Sequence, residues 1–235
     1  MPATSTIVSE TKPASPAVQP APGRLLRWWF LAVVLLALAF LADRFVDALP
    51  RAHSSSNFLW IVAHNISKFG DWPFLLLAGV AVWAGGRFSR RSALAKLGLA
   101  LALSSCLAGL AATTIRSVTG RTRPSATVAQ GWYGIRHDSQ WLVGKYDYNS
   151  FPSGHTGAMA GFVVPLFLGT RRGKIPAILL LLAMGWSRVF LGAHHMSDVV
   201  AAALIGVAIG VLTWRRIVPK LTGSPALTGT PELAA

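Results

Sequence analysis

Six apolar stretches, separated by more polar segments, leave this chain few ways to fold. They fall at about 25–43, 72–86, 97–115, 153–169, 175–191 and 198–214. No charged residue interrupts Trp28 to Ala42, Trp72 to Gly86 or Leu97 to Ile115. Inside a bilayer every backbone polar group needs an internal partner, so segments of this kind are expected as helices. Only 13% of the residues are charged, against roughly 25% in soluble domains. The expected architecture is all-α: an integral membrane bundle of six transmembrane helices. It forms one domain over residues 24–217. Residues 1–23 and 218–235 lack periodicity, and the first of them are rich in Pro, Ala, Ser and Thr. Both ends are expected as disordered tails. Several uncharged cores are shorter than the ~20 residues of a usual span, and a buried soluble helix is the competing reading of those.

Charge placement orients the bundle. The 22 Lys and Arg outnumber the 8 Asp and Glu, for a net charge of +14. Arg24 and Arg27 precede the first stretch, and Arg87, Arg90, Arg91 and Lys96 follow the second. Arg171, Arg172 and Lys174 separate the fourth and fifth; Arg215, Arg216 and Lys220 follow the sixth. If each stretch crosses once, these groups share one side, which the positive-inside rule makes cytoplasmic. This dispersal, without a nucleic-acid motif, argues against a nucleic-acid partner. Trp28, Trp29, Trp83 and Trp214 mark inner segment ends, while Trp72 and Trp186 mark outer ends, as in an aromatic belt. Residues 57–63 suit an interfacial amphipathic helix. Ala37-Leu38-Ala39 mimics a signal-peptidase site, but the long preceding tail favours an uncleaved anchor. The single cysteine, Cys106, has no partner for an intramolecular disulfide.

The loops expected outside carry three polar clusters, each at the end of an apolar stretch. The first is Arg116-Ser117-Val118-Thr119-Gly120-Arg121-Thr122-Arg123-Pro124. Its guanidinium forks match phosphate oxygens, although a solvated basic loop is the plainer alternative. The second is Pro152-Ser153-Gly154-His155. At a helix start its backbone N–H groups favour an anion, Gly154 permits close approach and His155 is placed to protonate a leaving oxygen. An ordinary N-terminal cap would look the same. The third runs from Ser187-Arg188 to His194-His195-Met196-Ser197-Asp198. His194 and Asp198 are four apart and share a helix face. A carboxylate there fixes the imidazole and leaves one ring nitrogen free to attack phosphorus. Taken together, the clusters supply what phosphoryl transfer needs: cations, a nucleophile, an acid and an orienting group. No carboxylate cluster is available for magnesium, so no metal and no cofactor are expected.

The spacing resembles the signature of the type 2 phosphatidic acid phosphatase superfamily: Lys-x6-Arg-Pro, Pro-Ser-Gly-His and Ser-Arg-x5-His-x3-Asp. Here the counterparts are Arg116-x6-Arg123-Pro124, Pro152-Ser153-Gly154-His155 and Ser187-Arg188-x5-His194-x3-Asp198. Arg116 stands where the family usually has lysine. The resemblance implies that His194 forms a phosphohistidine, Asp198 orients it, and His155 serves as acid and then as base. It also implies that Arg116, Arg123, Ser153, Gly154 and Arg188 bind the phosphoryl oxygens. Arg121 matches no motif position, and a second phosphate contact is one role open to it. His195 is expected to point elsewhere, and His64 and His137 to be ordinary interface residues.

The function expected is hydrolysis of a lipid phosphate or pyrophosphate at the periplasmic face of a bacterial inner membrane. Candidate substrates are undecaprenyl pyrophosphate, phosphatidylglycerol phosphate, phosphatidic acid and lipid A phosphates, presented by the bilayer. Three rivals remain: a lipid phosphotransferase of the same superfamily, a vanadate-dependent haloperoxidase, and a non-catalytic lipid transporter. Haloperoxidases are usually soluble and larger, and a transporter would not need the full catalytic set. The sequence assigns neither the lipid nor the oligomeric state.

Overall fold

The computed structural model describes residues 22–48 and 57–223, so most of both expected tails lies outside the described residues. Helix α1 (Pro22–Asp47) opens the chain, with a proline at its start where the missing N–H costs nothing. Most of its large side chains are exposed, while Ala39 and Asp43 are buried. Helix α2 (Phe58–Phe69) is capped by Asn57, whose side chain accepts from the N–H groups of Leu59 and Trp60. Helix α3 (Trp72–Phe88) begins one bend later, capped by Asp71 and with a proline in its first turn. The axes of α2 and α3 meet at 57°. Gly70 sits at that bend, where a Cβ would run into Met184.

Helix α4 (Ser92–Thr119) is the longest, at 28 residues, and Gly120 ends it in the left-handed conformation at φ 60°. The outer loop that follows contains a small hairpin, β1 (Arg136–His137) and β2 (Gln140–Trp141). Asp138 and Ser139 turn it with positive φ at both positions, the geometry that suits a two-residue hairpin. Helices α5 (Gly154–Gly169), α6 (Lys174–Phe190) and α7 (Met196–Leu212) complete the bundle. After α7 the chain widens into a π-helical turn over Thr213–Ile217 and closes with α8 (Val218–Thr222). Among the described residues helices extend from Pro22 to Thr222, which overruns both tail boundaries taken from composition.

The core forms where α5 is enclosed by α4, α6 and α7. Small residues permit this. A Cβ on Gly161 would collide with the Ser104 carbonyl of α4, and one on Gly206 with Ala160 and the Gly157 carbonyl. Ser104 donates across the α4–α5 contact to the Gly161 carbonyl at 2.8 Å. Close backbone approach through small residues is how helices associate where lipid tails offer no hydrophobic gain. Trp214, expected at the lipid boundary, is instead buried against Leu97, Leu101 and Val218. The other five marker tryptophans expose 40–70% of their surface.

Among the described residues, three helices are long and apolar enough to cross a membrane: α1 from Leu26, α4, and α7 continued through α8. The bent α2–α3 pair makes a fourth if counted as one span. Helices stand at all six expected positions, but α3, α5 and α6 have only 16–17 residues. At about 1.5 Å per residue they reach roughly 24–26 Å, short of a ~30 Å hydrocarbon core.

Candidate active site

One end of the bundle gathers the C-terminal ends of α1, α4 and α6 and the N-terminal ends of α3, α5 and α7. All three polar clusters meet there. His194 lies in the short link before α7 and is fully buried. Its Nδ1 is 2.8 Å from the backbone carbonyl of Ser150. A carbonyl only accepts, so Nδ1 carries the proton and Nε2 holds a free lone pair. Nε2 is buried and has no hydrogen-bond partner. Burial pushes the His194 imidazole down to about 3; Asp198 opposes this, and Arg188 and Arg123 reinforce it. The ring is accordingly neutral at physiological pH.

Asp198 approaches His194 Nδ1 at 3.7 Å, beyond hydrogen-bond distance. The expectation that this carboxylate holds the ring directly is therefore corrected: the Ser150 carbonyl holds it. Asp198 Oδ2 instead accepts from the Ser150 hydroxyl at 2.5 Å and from the His195 N–H at 2.8 Å. Its Oδ1 accepts from Arg121 Nη1 at 2.5 Å. The carboxylate fastens the start of α7 to the Ser150 loop and contributes its charge through space.

Arg121 is bound by carboxylates rather than open to a ligand. Besides Asp198, it donates to Ser197 Oγ at 2.6 Å and to Asp43 Oδ2 at 2.7 Å. Phe40, Trp132 and Phe151 surround its guanidinium, with ring centroids 5.3, 4.8 and 5.9 Å away. The second phosphate contact considered for it is not supported, because both terminal nitrogens are taken. His195 also turns away from the site: Nδ1 lies 2.5 Å from Asp47 Oδ2 and Nε2 lies 3.0 Å from the Thr122 carbonyl. Of the remaining histidines, His64 stacks on Trp60 and His137 sits beside Asp138.

Arg123 and Arg188 lie near His194, and Arg116 lies against Gly154 and near His155. Arg123 is buried, donates from Nε to the Tyr146 carbonyl at 2.9 Å and lies over the Tyr146 ring. Burial lowers its proton affinity, and Tyr146 offsets part of that. Arg188, in the last turn of α6, donates to Ser67 Oγ on α2. The Nε atoms of Arg188 and Arg116 are buried without partners, as is His194 Nε2. Buried polar groups normally find partners. The two guanidinium N–H groups are unpaired donors among neighbouring cations, which would suit an anion.

The second cluster forms the start of α5. Ser153 is its N-cap, buried, and its Oγ accepts from the Thr156 N–H and hydroxyl. The hydroxyl proton of Ser153 is left to donate elsewhere. Gly154 lies against Arg116, where a Cβ would stand 3.1 Å from Nη1. The leading N–H groups of α5 have no acceptor within the helix. His155, half-buried, places Nε2 3.4 Å from Asp71 Oδ1 at the start of α3. A cavity of about 530 Å³ opens beside it, lined by Trp72, Cys106, Leu110, Thr113, Arg116 and His155 among others.

All eight residues singled out from the motifs thus converge. Ser150, Asp43, Asp71 and Ser67 were not anticipated. Ser150 lies two residues before the second cluster, which was a usable signal. The other three sit on segments with no motif. Among the described residues, no three His, Cys, Asp or Glu side chains group as metal ligands would.

Residues 93–221 match the family model of the PAP2 superfamily. Over 199 residues the chain is 27% identical to a lipid A 1-phosphatase of Rhizobium johnstonii, with 80% of each chain covered. It is also 37% identical to an undecaprenyl-diphosphatase of Bacillus subtilis over 82 residues, which is 34% of this chain and 42% of that one. Its fold resembles the crystal structure of a transmembrane PAP2-type phosphatidylglycerolphosphate phosphatase from Bacillus subtilis. The TM-score is 0.53 at 22% identity, over 80% of this chain and 92% of that one.

Proposed function

The chain belongs to the PAP2 superfamily, and from that premise we propose that it hydrolyses a lipid phosphate or pyrophosphate through a phosphohistidine. The observation that carries this reading is the state of His194. Its Nδ1 is committed to the Ser150 carbonyl, and its Nε2 lone pair is unpartnered beside Arg123 and Arg188. A neutral, oriented nitrogen beside guanidinium groups is suited to attack phosphorus.

In the first step Nε2 bonds to phosphorus as the bond to the leaving oxygen breaks. Arg116, Arg123, Arg188, Ser153 and the N–H of Gly154 hold the phosphoryl oxygens. The proton on His155 passes to the departing oxygen. In the second step water attacks phosphorus, His155 takes its proton, and the P–N bond breaks to release inorganic phosphate. Asp198, 3.7 Å away, stabilises the positive charge that the ring acquires while phosphorylated. The guanidinium groups supply the charge neutralisation, so the reaction is expected to be metal-independent.

The substrate class follows from the relatives and from the groove. The relatives carry names that specify lipid A 1-phosphate and undecaprenyl diphosphate. The apolar lining contributed by Trp72, Cys106 and Leu110 leads away from His155 and suits a hydrocarbon chain. We place α1 to α8 in one membrane domain with six crossings, α2 and α3 serving as one broken segment, in a bacterial inner membrane. The basic groups at the far end face the cytoplasm and the site faces the periplasm. An alcohol in place of water would make the same intermediate a phosphotransferase; phosphate release with and without an acceptor lipid separates the two.

The deciding experiment is rapid quench with a phosphorus-labelled lipid phosphate, with EDTA present. Wild type should form an acid-labile, base-stable phosphoenzyme, and His194→Ala should form none. Label persisting in His194→Ala would remove His194 as nucleophile. For orientation, Ser125→Cys in a Cys106→Ser background should react with a membrane-impermeant reagent on intact cells, whereas Arg172→Cys should not. The reverse pattern would invert the topology.

A further inference from the structure

His155 has an acidic neighbour that no motif contains. Asp71 closes the bend between α2 and α3, and its Oδ1 stands 3.4 Å from His155 Nε2. The same oxygen caps α3 by accepting from the Trp72 N–H at 2.8 Å, which fixes the side chain in place. Both residues line the cavity that opens beside the site. One turn earlier, at the end of α2, Ser67 receives Arg188. The corner from Ser67 to Asp71 therefore touches two groups of the site, although it precedes the first motif residue by 45 positions or more (116 − 71 = 45).

The charges around His155 make this contact consequential. Arg116 faces it from α4, Arg188 from α6 and Arg123 from the outer loop; Asp71 faces it from α3. Three cations oppose a protonated imidazole, and a proton donor must be protonated before it acts. Asp198 is occupied by Arg121, Ser150 and the His195 N–H. Asp71 is the carboxylate in contact range of the ring.

We propose that Asp71 is the positioning residue for His155: it aims the imidazole at the leaving group and balances the arginines, so that the ring carries the proton it delivers. This rests on the reading of His155 as the acid. As the ring gives its proton to the departing oxygen it becomes neutral.

Asp71→Asn isolates the charge, because asparagine caps a helix about as well as aspartate and α3 keeps its start. The purified full chain in detergent would be compared on a long-chain alkyl phosphate and on nitrophenyl phosphate. General acid catalysis supplies ~10²–10⁴ in rate, and the loss of its positioning carboxylate should cost about 10- to 100-fold of that on the alkyl phosphate. Nitrophenyl phosphate, whose leaving group needs little protonation, should change by less than about threefold. The alkaline fall in kcat/KM for the alkyl phosphate should move to lower pH. In a His155→Ala background, Asp71→Asn should have no further effect. An equal loss on both substrates, or a full additional loss in the His155→Ala background, would make Asp71 merely structural and overturn the proposal. If His155→Ala itself treats the two leaving groups alike, the assignment of His155 as acid fails instead, and the proposal falls with it.

Discussion

Ser150 donates its hydroxyl to Asp198 Oδ2 at 2.5 Å, while its backbone carbonyl, 2.8 Å from Nδ1, holds His194. One residue thus joins the carboxylate to the imidazole. Ser150→Ala removes the hydroxyl and keeps the carbonyl, so the ring stays oriented and Asp198 loses one bond. A hydrogen bond to a charged group contributes about 1.5–3 kcal/mol. The variant should lower the thermal midpoint and slow phosphoenzyme formation less than Asp198→Asn does. Stopped-flow or quench rates for the two variants check the ranking. If Ser150→Ala were the more damaging, the hydroxyl would have a role other than holding Asp198.

The clasp between α1 and α7 should be costly to open. Arg121 and Asp43 are almost fully buried as a pair, and removing one partner of such a pair typically costs about 3–5 kcal/mol. Asp43→Ala should therefore lower the unfolding midpoint in detergent clearly. Asp47→Ala, whose carboxylate is more exposed, should do less. Equal midpoints for both variants would show that the buried charge is not what couples the helices.

Chain-length preference should be separable from chemistry. Thr113 lines the groove beside Leu110 and Cys106. Thr113→Trp narrows it at a position that is not one of the proposed phosphate contacts. KM for a long-chain lipid phosphate should rise, while turnover of a short soluble aryl phosphate should hold. A parallel fall on both substrates would place the hydrocarbon chain elsewhere.

Acid should weaken the fold through His194. Its imidazole titrates near 6.5 when unfolded and is pushed down to about 3 in the folded chain by burial. Between those values the unfolded chain binds the extra proton, so stability is complete above about 6.5 and falls as pH drops toward about 3. His194→Asn removes this contribution. The difference in thermal midpoint between neutral and mildly acidic buffer should be smaller for the variant than for wild type. An unchanged difference would mean that the acid sensitivity originates elsewhere.

What could be read from the chain was whatever short spacing determines. His194 and Asp198 are four positions apart at the start of α7, and Ser153 caps the helix it precedes, so each of these features is local. The apolar stretches placed every long helix within a few residues. Partners contributed by distant segments were not legible. Asp43 meets Arg121 across 78 positions and Ser67 meets Arg188 across 121. Such pairs are set by helix packing, and a lone aspartate in an apolar run has no periodicity to reveal its partner. The same cause left the role of Arg121 open, with a second phosphate contact among the possibilities, because Asp43 and Asp198 occupy it from distant segments. Trp214 is a second instance: its rank at a segment end indicated lipid, but the π-helical turn and Val218 enclose it. Crossing number was not legible, because composition marks an apolar helix without fixing its length.

The match to the family model begins at residue 93, yet three arginine and histidine side chains there depend on contacts made before it. Arg121 needs Asp43, Arg188 donates to Ser67 and His155 faces Asp71. A chain trimmed to the region of likeness would retain every motif residue and lose the acidic and hydroxyl partners that hold three of them. The smallest autonomous unit is therefore larger than the most recognisable one. Changes in the first three helices, far from any signature, should accordingly read out as changes in chemistry.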